Sequence, residues 1–359
     1  MNPAFVVRFR PAGPWRVGPD SGARNRVDRI YHSDSLFSAV THALGRLGRL
    51  EEWLAATAQN PQGAAVRFSS CFPFLEDLHF VVPPRNLWPP PPSAKVRWGK
   101  ARFVPLAVVE ALANDRPLKD GAWRLDGASE CLLPANAPFH DGPFRPVVRS
   151  YAGVDRKSGA VAVAHDRACL EFAPGGGLWA IASFADQEAE SRWKEAVRAA
   201  LRLLADSGMG GGRSMGWGHS ADPEFSEGVL PDMILPPKPA PPPVETPEGG
   251  EAAPKAAAEI GYWLLSMFSA GGGDAVDWQR GFYSVATRGG RIESPARSGE
   301  AKKLLRMVEE GSVLVAEAPP QGAAPNVAPD GFPHPVYRAG FALAIPVPLR
   351  PAERAPGAA

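Results

Sequence analysis

Apolar and polar positions along the chain alternate in two periods, and the change from one to the other marks the elements. Ala4 to Arg10 alternates apolar and charged residues, the pattern of a half-buried strand. Pro11 to Arg29 follows as a long loop with Gly13, Gly18 and Gly22. Leu36, Phe37, Val40, Leu44 and Leu47 then share one helical face, with Ser33 or Asp34 as N-cap and Gly45 and Gly48 near the end. The clearest helix is Ser191 to Ser207. Trp193, Ala196, Val197, Ala200, Leu201 and Leu204 form its apolar stripe, Lys194, Arg198 and Arg202 line another face, and Gly208 stands at its C′ position. Arg149 to Val163 reads as a β-hairpin that projects from the body, turning at 155–159. Ala168 to Phe172 and Leu178 to Phe184 are two further strands.

Beyond Pro236 to Lys255, a proline-rich acidic stretch, the same vocabulary resumes. Ile260 to Phe268 reads as a buried strand, and Gly281 to Val285 with Arg288 to Ile292 as a hairpin. Lys302 to Glu310 reads as a short helix, followed by strands at Ser312 to Ala316 and Phe341 to Val347. Strand–helix–strand units on both sides of the linker predict an α+β protein, two sheets each covered on one side by helices. The divisions are 1–235, a linker at 236–258, a second unit at 259–350 and a tail at 351–359.

Composition narrows the class. With 359 residues, 45% hydrophobic and 21% charged, the chain suits a globular protein of two domains. Its 40 prolines and 37 glycines cluster, which points to long loops rather than to disorder throughout. No apolar run reaches the roughly 20 residues of a membrane span, and no charged-then-apolar leader opens the sequence. The three cysteines (Cys71, Cys131, Cys169) are far apart and make neither a disulfide framework nor a CxxC site. The expectation is a cytoplasmic, reduced protein. A net charge of +1 argues against a wholly basic nucleic-acid coat, yet Met1 to Arg49 holds eight arginines against Asp20, Asp28 and Asp34. A cationic face on a near-neutral chain suits the grip of one anionic ligand, although a solvated arginine surface has the same composition.

The candidate chemistry centres on Gly208 to Gly218, where six of eleven residues are glycine (Gly208, Gly210, Gly211, Gly212, Gly216, Gly218) beside Arg213, Ser214 and Trp217. Glycine lets backbone N–H groups turn toward a ligand, an arginine pairs with phosphate, and an aromatic side chain can support or stack a base. A dinucleotide-binding GxGxxG would need glycine where Arg213 stands. A Walker loop would need Lys-Ser/Thr where Trp217 follows Gly216. The stretch also follows a helix, so both readings fail. The seven histidines show no HExxH spacing and no Cys/His cluster, so no metal site is expected. His32, beside a helix N-terminus, remains open as a general acid or base on RNA or as a hydrogen-bonded structural group. No serine or cysteine sits in a nucleophile elbow.

Several segments together resemble the RAMP proteins of type III CRISPR systems, nearest to the fourth Csm subunit of type III-A effector complexes. They are Pro14 to Gly18, Tyr31-His32-Ser33-Asp34-Ser35-Leu36-Phe37-Ser38-Ala39, the Val154-Asp155-Arg156-Lys157-Ser158-Gly159 turn and the glycine-rich loop. In the second half they are Gly281-Phe282-Tyr283, Arg288-Gly289-Gly290, Glu310 to Leu314 and Val336 to Gly340. Pro89 to Pro92 and the linker match nothing in the family. The resemblance implies two ferredoxin-like (RRM-type) domains with a β-hairpin thumb inserted in the first. It implies a subunit without nuclease activity or cofactor that holds the 5′ handle of crRNA. Its partners would be a large polymerase-like subunit, an adjacent backbone RAMP subunit and target RNA at the guide junction, in antiviral defence. The RNA-binding candidates are Arg16, Gly18, His32, Ser33 and the loop residues Gly208, Gly210, Gly211, Gly212, Arg213, Ser214, Gly216, Trp217 and Gly218. The thumb candidates are Arg149, Asp155 and Arg156. The alternative is a metal-independent RAMP endoribonuclease that processes repeat RNA, with His32 as general acid or base.

Overall fold

A computed structural model describes residues 2–19, 22–154, 156–159, 161–237, 259–294, 296–297 and 299–349. Most of the linker, the 351–359 tail and Asp155 of the thumb turn lie outside these residues. Up to residue 237 the elements are β1 (Asn2–Phe9), α1 (Ser33–Arg46), α2 (Leu50–Ala56), β2 (Val66–Phe68), β3 (Phe72–Leu75), β4 (Leu78–Val81) and β5 (Val104–Pro105). Then come α3 (Leu106–Ala113), β6 (Trp123–Asp126), β7 (Cys131–Pro134), β8 (Phe144–Val154), β9 (Val161–Phe172), β10 (Gly176–Phe184), α4 (Gln187–Ser207) and β11 (Glu224–Leu230). From residue 259 onward they are β12 (Ile260–Leu264), β13 (Val276–Phe282), β14 (Val285–Arg288), β15 (Leu305–Val308), β16 (Val313–Ala316), β17 (Gly322–Ala323), β18 (Gly340–Phe341) and β19 (Ala344–Pro348).

The first sheet runs β11-β1-β10-β3-β4-β5, antiparallel throughout, with β2 also on β10. Alternation along its central strands explains why both faces are covered. Phe5, Val7 and Phe9 of β1 and Leu178, Ala180, Ala182 and Phe184 of β10 pack with Leu36, Phe37 and Val40 of α1 and Trp193, Val197 and Leu201 of α4. Trp179 and Ile181 point the other way, into a core shared with Phe80, Phe103 and Leu132 and with Trp263, Val313 and Ile345 of the second half. The two halves are therefore joined by one apolar interior. The second sheet runs β13-β16-β12-β19. Counting β1, β3, β10 and β11 in the first sheet and β12, β13, β16 and β19 in the second, both have the order 4-1-3-2.

The expected helices α1 and α4 are present, with three differences. Leu47 caps α1 at its C-terminus and is 45% exposed, so the apolar face ends at Leu44. The N-cap of α1 is His32, with no side-chain capping bond, because Ser33 and Asp34 spend their side chains elsewhere. Helix α4 starts earlier than its apolar stripe suggests. Asp186 caps it, accepting the Ala189 N–H at 2.8 Å. Lys194 and Arg198 tie the helix to Glu227 of β11.

The second half departs further from expectation. Among its described residues no helix occurs. Lys302 to Glu310 contains strand β15, paired with β14, and Phe268 bridges Val308. Residues 281–285 and 288–292 do not pair as a hairpin, because β13 lies on β16 and β14 on β15. Among the described residues no helix is long and apolar enough to cross a membrane.

Candidate nucleic-acid interface

The glycine-rich loop is a stitched turn. Gly208 ends α4 with φ +85°. The Met209 N–H donates to the Gly218 carbonyl at 3.0 Å, Gly218 N–H to Pro14 at 2.9 Å and Gly211 N–H to Arg16 at 2.8 Å. At Gly210 (φ +77°) a Cβ would overlap the Arg16 carbonyl, and at Gly218 (φ +80°) the Met209 carbonyl. These glycines are required by close backbone approach within the chain. Gly18 differs: it is exposed, and a Cβ there would meet nothing within 4 Å.

Trp217 is 3% exposed, with its ring centroid 6.1 Å from that of Tyr151 on β8. Its indole is thus buried under the hairpin and unavailable for stacking on a base. Arg213, Ser214, Met215 and Gly216 are exposed. Among the described residues the N–H groups of Gly212, Arg213 and Ser214 have no hydrogen-bond partner. Arg213 Nη2 lies 2.9 and 3.0 Å from the two carboxylate oxygens of Glu293.

Arg16 is half-buried. Its Nη1 donates to the carbonyls of Arg24 (2.9 Å), Arg26 (3.3 Å) and Ala168 (2.6 Å), and its Nη2 to Ala23 (3.0 Å). Burial lowers its pKa, and the charges of Arg167 and Arg24 add to the fall. Arg16 therefore fastens the 23–26 loop to β9, and the exposed Arg24 and Arg26 extend from that loop. Arg167 Nη1 touches Met215 Sδ at 3.5 Å. Arg213 within the loop and Arg167 against Met215 give it positive charge. Arg167, Tyr151 and Glu293 were not legible as site residues, because only the folded hairpin and the second half bring them there.

The hairpin β8–β9 forms a two-stranded sheet of its own, with strands eleven and twelve residues long, roughly 35 Å at strand rise. Its base is pinned by Leu170 on Trp15 and by Ala168 N–H on Arg24 (2.8 Å). Ala168 to Phe172 thus belongs to the hairpin. Arg149 pairs with Glu171 across the ribbon at 2.6 Å, and Arg156 is exposed at the turn.

His32 and Ser33 lie in the interior. His32 is 6% exposed, with Nδ1 2.8 Å from Glu310 and Nε2 3.2 Å from Asp28. Burial opposes its charge, but the Glu310 carboxylate and the hydrogen bonds to Asp28 and Glu310 prevail and hold its pKa at about 10. Glu310 is also bonded by the Ser70 hydroxyl, which accepts the Ser33 N–H at 2.8 Å. Ser33 Oγ accepts the Met267 N–H at 2.9 Å. Asp34, fully buried, takes Arg288 at 2.9 and 3.1 Å and also Arg338. Burial raises its pKa, yet the two guanidinium groups bring it down to about 2. His32 and Ser33, expected at an RNA contact, are buried here and close a polar seam between the halves. The motif segments around Arg288, Glu310 and Val336 to Gly340 meet at this seam.

Among the described residues no group of three or more His, Cys, Asp or Glu side chains is placed to hold a metal ion. The three cysteines are buried and free.

Three comparisons bear on this geometry. Residues 258–347 match the family model described as the CRISPR Csm4 C-terminal domain. The chain is similar to one in a crystal structure of a Csm1–Csm4 cassette in complex with AMPPNP, at 17% identity and TM-score 0.54, covering 97% of this chain and 99% of that one. It is also similar to one in a Csm3–Csm4 subcomplex of the type III-A CRISPR-Cas interference complex, at 16% identity and TM-score 0.58, covering 98% and 100%. Csm4 is the component common to both. No curated protein matches the sequence. The chain is Csm4-like in fold along nearly its whole length, and in sequence over 258–347.

Proposed function

We propose that this Csm4-like chain is a subunit of a type III CRISPR effector complex that binds the repeat-derived 5′ handle of crRNA without cleaving it. The observation that carries the reading is the glycine-rich loop. It is rigidly stitched, yet offers unbonded N–H groups at Gly212, Arg213 and Ser214 beside the exposed Arg213 guanidinium, with Arg167 against Met215. Backbone N–H groups and guanidinium groups are the usual partners of phosphate oxygens, and such contacts fix RNA in register. The 4-1-3-2 order of both sheets supports reading each half as ferredoxin-like, the second with loops and short strands in place of helices. The exposed β8–β9 ribbon is the thumb in this reading, reaching target RNA at the guide junction.

The partners follow from the relatives' assemblies: a large polymerase-like subunit of the Csm1 kind and a backbone RAMP subunit of the Csm3 kind. The role needs no cofactor, and its setting is the cytoplasm. The endoribonuclease alternative is disfavoured by His32, whose ring nitrogens are both engaged and whose imidazolium persists to about pH 10. A buried imidazolium at neutral pH cannot accept a proton as a base.

Sequencing the 5′ ends of RNA that co-purifies with the chain and its partners tests the reading. One common repeat-derived 5′ end is expected. Scattered 5′ ends would overturn it.

A further inference from the structure

Glu293 presents to Arg213 what a phosphodiester would present. Both carboxylate oxygens lie about equally far from Arg213 Nη2, 2.9 and 3.0 Å. A carboxylate and a phosphodiester each offer two oxygens sharing one negative charge, and a guanidinium pairs with either. Both side chains of the pair are open to solvent, 41% for Arg213 and 65% for Glu293, so an incoming anion can reach the arginine without unfolding anything. Among the described residues this pair is the only side-chain hydrogen bond from the Gly208–Gly218 loop to the second half.

Arg291 Nη1 donates to the Gly299 carbonyl at 2.6 Å, and Arg291 bridges Ala301, so the segment carrying Glu293 is anchored just before it. The acid is thereby held within reach of the loop. The contrast with the seam is direct. Arg288 and Arg338 meet Asp34 in the interior, where no ligand can compete. Arg213 meets its acid at the surface, where exposed pairs contribute little and exchange readily.

We infer that Glu293 is an intramolecular competitor for the RNA-binding arginine. It occupies Arg213 in the RNA-free chain and yields it to a backbone phosphate when RNA arrives, so that it sets the affinity of the loop. The inference rests on the proposed RNA-binding reading. It adds a device in the second half that regulates the site in the first. No bond is made or broken; one ion pair is exchanged for another.

The test uses the full chain and a fluorescein-labelled single-stranded RNA carrying the repeat-derived 5′ handle, with affinity read by anisotropy over a range of salt. Four proteins are compared: wild type, Glu293→Gln, Arg213→Ala and the double variant. Glu293→Gln is expected to bind about two- to fivefold tighter at low salt, the size of one exposed ion pair, and to converge on wild type as salt screens the competitor. In the Arg213→Ala background Glu293→Gln is expected to change nothing. If Arg213→Ala weakens binding but Glu293→Gln does not tighten it, the competition is wrong and the RNA reading stands. Equal tightening in both backgrounds would mean only a general loss of negative charge, and would also overturn the competition. If Arg213→Ala binds as wild type does, the arginine's role in RNA binding fails, and the inference fails with it.

Discussion

The glycine-rich loop and the seam between the halves are both built around arginines, and they use them in opposite ways. At the seam, Arg288 and Arg338 are 5% and 6% exposed and converge on a buried Asp34. At the loop, Arg213 is exposed, and its neighbours are unbonded N–H groups and one surface carboxylate. A buried charge must find its partner within the chain, because leaving it unpaired costs several kcal/mol. An exposed charge can wait for a ligand. Burial, and not residue type, separates the arginines that hold the fold from those that stay open to an incoming anion.

The largest effect should come from breaking the seam. Asp34→Ala leaves two guanidinium groups buried without their carboxylate and is expected to cost about 3–5 kcal/mol of stability, read as a lower urea midpoint. An unchanged midpoint would mean that the seam does not hold the halves together. The seam should also respond to pH. The folded pKa of His32, about 10, lies above its ordinary 6.5. Its stabilisation is therefore complete below pH 6.5 and lost as pH rises toward 10. Urea midpoints measured across that range should fall in the wild type and fall less in His32→Asn. Parallel curves would contradict the assignment.

A smaller effect distinguishes the glycines. Gly218→Ala places a Cβ against the Met209 carbonyl at positive φ and should cost about 1–3 kcal/mol, with loss of RNA binding. Gly18→Ala, exposed and unobstructed, should stay within about 0.5 kcal/mol of wild type. Thermal melts of the pair decide whether the loop is as tightly built as its geometry indicates. The smallest expected effect is at Arg213. Arg213→Ala should leave stability intact and lower the salt slope of RNA binding by roughly 0.7, one phosphate contact on a single strand. An unchanged slope would remove Arg213 from the interface.

How far the sequence revealed this molecule depended on how local each feature was. Helices α1 and α4 and strands β1 and β10 carry their own periodicity, so Leu36, Phe37, Trp193 and Val197 could be assigned to buried faces in advance. Lys302 to Glu310 could not. Leu304, Leu305 and Val308 repeat at helical spacing, but pairing with Val285 to Arg288 makes the segment a strand, and in strands tertiary context outweighs propensity. The seam was illegible as a seam, since Asp34 and Arg338 are 304 residues apart. The family resemblance singled out Arg288, Glu310 and Val336 to Gly340 without indicating that they meet. The loop was found from its composition. What composition hid was that Trp217 is buried, that Gly210 and Gly218 serve close backbone approach, and that a second-half glutamate sits on Arg213.

The most direct test of the contrast is amide hydrogen exchange on the full chain with and without 5′-handle RNA. The N–H groups of Gly212, Arg213 and Ser214 take no partner among the described residues and should exchange fast in the free chain. They should slow markedly when RNA binds, while the amides of Ser33 and Met267, already hydrogen-bonded in the seam, should not change. Protection appearing at the seam and not at the loop would contradict the account.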